Sequence, residues 1–346
     1  MKSIKYYLIA LLLILTGCAN QKKEISFDPV TQNKFLLGTV VTITLYDNPE
    51  EEIFDEIFNE LEKIEKEMTI NNAITSEVIE INNHAGIEGV KISKNTFDVI
   101  NTGLNYSKLA NGAFDITVGP LVKLWEIGFT DARVPSHEEI SKALELINYE
   151  DVELNEEQLT VKLTKPGMMI DLGGIAKGYA ADTAIKILKE HGNQHAIINL
   201  GGNVYAYGDK PQDQPWKIGI QNPFLPRGEY LGIASVKNKA IVTSGTYERF
   251  FEQDGVTYHH ILDPKTGYPV SNNIVSVTII ADNSMVADAL STAAFALGIE
   301  SGLALIESLD QVEALYITND NQIYPSSGFM QSFELTDDTF TIIDSH

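Results

Sequence analysis

Asp288 and Thr292 stand four residues apart in Ser284-Met285-Val286-Ala287-Asp288-Ala289-Leu290-Ser291-Thr292-Ala293, so on a helix they share one face. A carboxylate beside a hydroxyl suits a hard, oxygen-preferring cation such as Mg²⁺. The flanking Ala, Leu and Phe mark the helix as buried, and a bare buried carboxylate is costly unless paired or metal-bound. The bland alternative is an acid and a hydroxyl on a solvated face.

Three further segments concentrate Gly, Asp and hydroxyl residues. In Ile170-Asp171-Leu172-Gly173-Gly174-Ile175-Ala176-Lys177-Gly178-Tyr179-Ala180-Ala181-Asp182, a strand end, a Gly pair and a helix start follow in order. Free N–H groups at a helix start favour anions, and Lys177 adds a mobile positive charge. The spacing is neither G-x-x-x-x-G-K-[ST] nor G-x-G-x-x-G, which excludes an ATPase loop and a dinucleotide fingerprint. Thr243-Ser244-Gly245-Thr246-Tyr247-Glu248-Arg249 leads to His259-His260-Ile261-Leu262-Asp263-Pro264-Lys265-Thr266-Gly267. A His beside a polar turn is a candidate general base, and adjacent His residues on a strand point to opposite faces, so at most one faces a site. Gly112-Ala113-Phe114-Asp115-Ile116-Thr117-Val118-Gly119-Pro120-Leu121 can hold a ligand against backbone, or serve as a plain turn beside an aromatic cluster.

The elements that must position these residues are mixed. Leu37–Tyr46 alternates as a strand. Ile53, Phe54, Ile57, Leu61, Ile64 and Met68 recur at helical spacing, and that stripe is core. Helices are expected over 94–109, 136–146 and 175–191, and from a Ser284 cap to Leu297 with Gly298 as the stop. A further helix is expected from Glu300. Strands are expected over 158–164, 196–200, 217–221, 230–235, 240–243, 275–281 and 314–318, closing at Ile323–Tyr324. No internal repeat and no regular βαβ alternation is visible, so the fold class is α+β, with mixed sheets and packed helices in one intertwined unit or two lobes.

The chain has 346 residues, with 48 acids against 25 Lys and Arg and a formal charge of −23, which argues against nucleic-acid binding. An acidic protein that handles a phosphate must supply local help: a metal, backbone N–H groups or a Lys. At the start, Lys2 and Lys5 precede an apolar run over Tyr6–Leu15 that is too short to span a bilayer. Leu15-Thr16-Gly17-Cys18 follows and resembles a bacterial lipobox. Cys18 is the chain's single cysteine, so no disulfide forms within a monomer and no Cys-based zinc site is available. Residues 1–17 are therefore expected to be a lipoprotein signal peptide, 18–33 a lipidated Cys with a polar tether, and 34–346 the functional domain. The expected location is the cell membrane, lipid-anchored on the extracytoplasmic side.

Taken in order behind the lipobox, these segments resemble the ApbE family of flavin transferases. The resemblance runs from about Phe35 to Ile323 and rests on Gly38-Thr39, Gly112–Asp115, Asp171–Asp182, Thr243-Ser244-Gly245, His260–Pro264 with Thr266-Gly267, and Asp288–Thr292. It implies largely antiparallel sheets and two intertwined lobes with a FAD site between them. It also implies Mg²⁺-dependent transfer of FMN from FAD to a Thr or Ser of acceptor flavoproteins of extracytoplasmic redox systems, with release of AMP. By position, Leu37, Ala113, Phe114, Asp115, Asp171, Lys177, His260 and Ile261 would contact FAD. The Gly174 carbonyl, Asp288 and Thr292 would hold Mg²⁺, and His260 would be the base, with Asp171 or another acid as an alternative.

Two residues depart from the family pattern. Leu37 replaces a common Met, an apolar swap. Asn71 (with Asn72 as the alternative alignment) stands where many members carry a stacking Tyr, and members with Asn there are associated with FAD hydrolysis as well. The competing functions are a FAD pyrophosphatase, which shares every residue named, a non-catalytic flavin-binding lipoprotein, and a solute-binding lipoprotein, whose βαβ lobes are not visible here.

Overall fold

The structure is a computed structural model that describes residues 28–71, 74–210 and 213–343. Cys18 and the expected signal peptide lie outside these residues, as does Asn72. Among the described residues no helix is long and apolar enough to cross a membrane.

The described residues open with a hairpin, β1 (Val30–Leu36) and β2 (Thr39–Leu45), in register from Val30↔Leu45 to Leu36↔Thr39. Leu37 and Gly38, with φ of 54° and 68°, make the two-residue turn, whose positive φ values match the twist of the strands. Two sequence expectations change here. The strand read over Leu37–Tyr46 is only the second arm of the hairpin, and the tether read to residue 33 gives way to strand at Val30. The first arm carries Thr, Gln, Asn and Lys, so its alternation is too polar to register as a strand.

The chain continues through α1 (Glu51–Met68), α2 (Glu77–Asn83), β3 (Val90–Lys91), α3 (Lys94–Leu109), α4 (Gly119–Trp125), α5 (His137–Leu144), β4 (Val152–Asn155), β5 (Thr160–Leu163) and α6 (Ala176–Glu190). Then come β6 (Ala196–Leu200), β7 (Asn203–Tyr207), β8 (Trp216–Gln221), β9 (Tyr230–Val236), β10 (Lys239–Gly245), β11 (Phe250–Gln253), β12 (Val256–His259) and β13 (Ile274–Ala281). The last elements are α7 (Ser284–Leu297), α8 (Ile299–Glu307), β14 (Glu313–Thr318), β15 (Gln322–Pro325), β16 (Phe333–Leu335) and β17 (Thr341–Ile342). The core therefore does not close at Tyr324 as the sequence suggested. β16 and β17 extend it, and Phe340, just before β17, is buried in a second hydrophobic core.

Nine strands form the main sheet in the order β1-β2-β6-β7-β10-β13-β14-β15-β17, antiparallel throughout except the last pair. Period-two alternation divides its side chains between two cores. Ala240, Val242, Val277, Ile279, Ala314 and Tyr316 face the helices, while Ile241, Ile280, Leu315 and Ile317 face the small sheet β16-β9-β8. On the helical side α1 buries Ile53, Phe54, Ile57, Leu61, Ile64 and Met68, the stripe read from the sequence. α7 packs on β10 and β13 and against α6. Its N-cap is Asn283, whose side chain accepts from the Val286 N–H, and not Ser284 as expected. The Ser284 N–H is instead taken by Asp182 from α6 at 2.9 Å.

Candidate active site

Two of the four polar segments lie side by side because their backbones pair. The Asp171 N–H donates to the Ile116 carbonyl at 2.8 Å, and Val118 bridges Met169 in parallel. Gly119 is required there, since a Cβ would stand 2.6 Å from the Met169 carbonyl oxygen. Asn82 clamps the other side, accepting from Ile170 N–H at 2.7 Å and donating to its carbonyl at 3.0 Å.

The Gly-rich loop then delivers α6 against the start of α7. Contact is so close that a Cβ on Gly178 would lie 2.3 Å from the Ser284 carbonyl oxygen. With no side chain in the way, the Gly178 N–H donates to Asp288 Oδ2 at 2.9 Å. Lys177 Nζ stands 3.5 Å from Asp288 Oδ1 and 3.3 Å from the Gly173 carbonyl. Asp182, one turn further along α6, accepts the Ser284 and Met285 N–H groups at 2.9 and 2.8 Å, tying α7's first turn to α6. Burial pushes its carboxyl up to about 6.

Asp288 is 3% exposed, as the apolar flanks implied. One turn on, Thr292 Oγ1 lies 3.6 Å from where a Gly174 Cβ would be, and the Phe114 ring lies 3.1 Å from the same point. Gly174 and Phe114 therefore lie against Thr292, one helical turn from Asp288, although the Gly loop and α7 are more than a hundred positions apart in the chain. The third segment joins through Ser244 on β10, whose hydroxyl is 2.7 Å from Ser291 Oγ and 3.3 Å from Thr292 Oγ1.

These oxygens fit a hard cation. Asp288 has one N–H donor and a distant ammonium as partners, which leaves acceptor capacity on a buried carboxylate. Among the described residues no three His, Cys, Asp or Glu side chains converge as a metal cage. A cation here would thus rely on one carboxylate, a hydroxyl, a carbonyl and the ligand's own oxygens, the pattern Mg²⁺ takes with phosphates.

Asp171 lies at the loop's start and accepts the Gly173 N–H at 2.6 Å. Burial raises its pKa, opposed by that hydrogen bond and by the charges of Lys123, Arg249 and Lys177. Three cations therefore gather around this acid, and sequence reading singled out only Lys177. Lys123 sits in an apolar stretch of α4 and donates to Asn71 Oδ1 at 2.7 Å, which places Asn71 at the same rim. Arg249 closes the third segment. Its guanidinium lies 3.4 Å from a Gly38 Cβ position, and its Cδ 3.2 Å from that of Gly128. Leu37, beside Gly38, donates its N–H to Glu65 Oε1 at 3.0 Å, which fixes the hairpin tip to α1.

The two histidines differ in surroundings, although only His259 lies on a strand and His260 follows its end. His259 is buried, with Nε2 on the Val270 carbonyl at 3.0 Å, and is structural. His260 Nδ1 lies 3.2 Å from the Arg249 carbonyl. A carbonyl only accepts, so Nδ1 carries the proton and Nε2 keeps its lone pair. Burial, then the Arg249 charge, push the His260 pKa down to about 3. Ile261 is buried behind it and gives its carbonyl to Val270 N–H at 2.9 Å. The following turn is held by Asp263, which accepts from Lys265 N–H and Thr266 Oγ1, both at 2.9 Å, and by Trp125 Nε1 donating to the Gly267 carbonyl at 2.8 Å.

The Asp115 carboxylate is engaged within its own loop. Its Oδ1 accepts from Thr117 N–H and Oγ1 at 2.8 and 2.7 Å, and its Oδ2 from Tyr149 N–H at 3.1 Å. The carboxylate thus shapes the loop that presents Phe114, and Ala113 is half-buried beside it.

The chain resembles known proteins over most of its length. The ApbE family profile matches residues 37–316. A FAD:protein FMN transferase of Klebsiella pneumoniae (strain 342) is 38% identical over 309 residues, covering 89% of this chain and 95% of the relative. One from Treponema pallidum (strain Nichols) is 34% identical over 358 residues, covering 98% and 99%. Among solved structures, the ApbE protein of Thermotoga maritima has a TM-score of 0.79 at 36% identity, covering 88% of this chain and 99% of that one. The flavin transferase ApbE of Vibrio cholerae has a TM-score of 0.78 at 30% identity with the same coverage.

Proposed function

The chain belongs to the ApbE family, and from that premise we infer that it transfers the FMN half of FAD to a Thr or Ser hydroxyl of an acceptor protein and releases AMP. The observation that carries this reading is the packing of Gly174 and Phe114 against Thr292, one turn from Asp288, with Lys177 beside Asp288 and the charges of Arg249 and Lys177 acting on both Asp171 and His260. The reaction forms a bond from the acceptor oxygen to the FMN-side phosphorus and breaks the bond from that phosphorus to the bridging oxygen, which leaves with AMP. Such transfer depends on positioning and charge neutralisation more than on covalent help. A Mg²⁺ held by Asp288, Thr292 and the Gly174 carbonyl would neutralise the diphosphate and the departing phosphate. Lys177 places a second positive charge beside Asp288. Phe114 and Ile261 supply apolar, water-excluding surface. His260 Nε2 receives the hydroxyl proton, and its free lone pair follows from the Nδ1–H bond to Arg249.

A second activity, hydrolysis of FAD to FMN and AMP, is favoured by Asn71. Its amide is drawn to Lys123, so this position offers a polar group and no aromatic cover against water. Lipid attachment at Cys18 would hold the enzyme at the extracytoplasmic face of the membrane, beside acceptor flavoproteins of redox systems there. The test is to incubate the protein with FAD, Mg²⁺ and a Thr-bearing acceptor and weigh the acceptor after denaturation. We expect one FMN-phosphoryl increment per modified acceptor with an equal yield of AMP, and slower AMP release without acceptor. Chelation should stop both. AMP release with no mass gain on any acceptor would leave hydrolysis as the sole activity.

A further inference from the structure

Along β10, alternate residues face the helices, and Ala240 and Val242 fill that row with buried apolar side chains. Ser244 is the third of the row and puts a hydroxyl against α7 instead, opposite the buried Val277 of β13. Its oxygen stands 2.7 Å from Ser291 Oγ and 3.3 Å from Thr292 Oγ1. Ser291 is fully buried and donates its proton to the Asp288 carbonyl at 2.8 Å. These contacts fix the direction of each proton. A hydroxyl has one proton to donate and lone pairs with which to accept, whereas a carbonyl only accepts. With the Ser291 proton on Asp288, Ser244 must donate to Ser291, and Thr292 must then donate to Ser244. The line runs from the Thr292 hydroxyl through Ser244 and Ser291 to the Asp288 carbonyl.

We propose that Ser244 is a positioning residue for the cation: it takes the Thr292 hydroxyl proton and so leaves the Thr292 lone pairs to the ion. This rests on the reading of Asp288, Thr292 and the Gly174 carbonyl as a Mg²⁺ site. A hydroxyl that ligates a dication must turn its proton away from the charge, and an acceptor for that proton orients the ligand and strengthens its hold. A threonine inside a helix can instead turn its proton to the carbonyl four residues back, which for Thr292 is that of Asp288. That route is closed here. The helix ladder uses one lone pair of the Asp288 carbonyl and Ser291 uses the other. Ser291 thus denies Thr292 the helix carbonyl, and Ser244 offers an acceptor on the neighbouring strand. The Thr292 oxygen is left toward Gly174, 3.6 Å from where a Cβ of that residue would be.

The test follows the cation without turnover. Mn²⁺ is titrated into the intact protein with FAD, the free ion is counted by electron paramagnetic resonance, and Mg²⁺ is then added as competitor. Ser244→Ala should weaken the binding of both ions about tenfold to a hundredfold, with the thermal midpoint in chelator close to the parent's. Ser291→Ala reopens the Asp288 carbonyl to Thr292 and frees the Ser244 proton, so it should weaken binding in the same direction and by less. Thr292→Val deletes the hydroxyl through which Ser244 acts, so adding Ser244→Ala to it should cost no further affinity. Unchanged ion affinity in Ser244→Ala, or in Ser291→Ala where the first variant does not fold, would overturn the role of Ser244. Additive losses in the Ser244→Ala, Thr292→Val double variant would overturn it as well, because Ser244 would then act by another route. A parent protein that binds no Mn²⁺ in the presence of FAD would instead overturn the cation site itself.

Discussion

At the scale of single residues, His260 is held neutral by its surroundings and aimed by one hydrogen bond. Burial and the Arg249 charge set its pKa at about 3, so below an ordinary imidazole's 6.5 the fold keeps it unprotonated. Because kcat/KM for FAD reports the free enzyme, it should stay level as pH falls from 8 through 6.5, and a half-drop centred near 6.5 would contradict the assignment. The sign for stability follows from linkage: the unfolded chain takes up this proton near pH 6.5 and the folded one only near 3, so stability is retained above 6.5 and declines between those values. His260→Gln should lower kcat by ~10²-fold or more while leaving FAD binding in place. Thr292 allows a cleaner test of the metal than Asp288, whose removal would also orphan the buried Gly178 N–H at a cost of about 1–3 kcal/mol. Thr292→Val keeps the volume and deletes one oxygen. We expect the Mg²⁺ concentration for half-maximal transfer to rise about tenfold or more, with an unchanged thermal midpoint in chelator.

At the scale of elements, the site depends on how closely α6 meets α7. Gly178→Ala would put a methyl group against backbone that cannot swing aside, since Ser284 is pinned by Asp182. Overpacking of this kind costs about 1–3 kcal/mol. The displacement would also pull the Gly178 N–H from Asp288, so Mg²⁺-dependent activity should fall further than the melting temperature implies. Unchanged Mg²⁺ dependence in a folded Gly178→Ala protein would show that the helix contact is only structural. This junction marks the limit of what was legible in the sequence. The i, i+4 face of Asp288 and Thr292 followed from helical period, and α1, α3 and α6 followed from their stripes and stops. Asp182 could not be seen as the clasp of α7, because its two N–H donors lie about a hundred residues away. Ser284 looked like the cap because Ser is a good cap, but Asn283 accepts the Val286 N–H. Lys123 and Arg249 stayed hidden for the same reason: their charge matters only where tertiary packing brings them to Asp171.

At the scale of the whole molecule, alternation along β10, β13 and β14 was readable, but the order of the nine strands was not, since β2 pairs with β6 and β10 with β7 across long stretches of chain. The property that composition did determine is charge. A formal −23 on one body produces self-repulsion that disfavours the compact state. Ion pairs work in the opposite direction, but pairs such as Lys142–Glu138 and Arg133–Glu139 are exposed, and exposed pairs are worth about 0–1 kcal/mol each. Salt weakens both effects, because charges farther apart than about 10 Å are screened at 0.1 M. The repulsion sums over many distant acids and is removed efficiently, whereas a contact pair is screened less. Raising NaCl from roughly 0.02 to 0.3 M should therefore raise the thermal midpoint by about 2–4 °C, the shift that about 1 kcal/mol produces in a domain approaching this size. A midpoint that falls with salt would mean that paired charges, and not the excess of acids, dominate the electrostatics of the fold. In that case the cationic cluster around Asp171 would be weakened by the same salt, and FAD affinity should fall in parallel with stability.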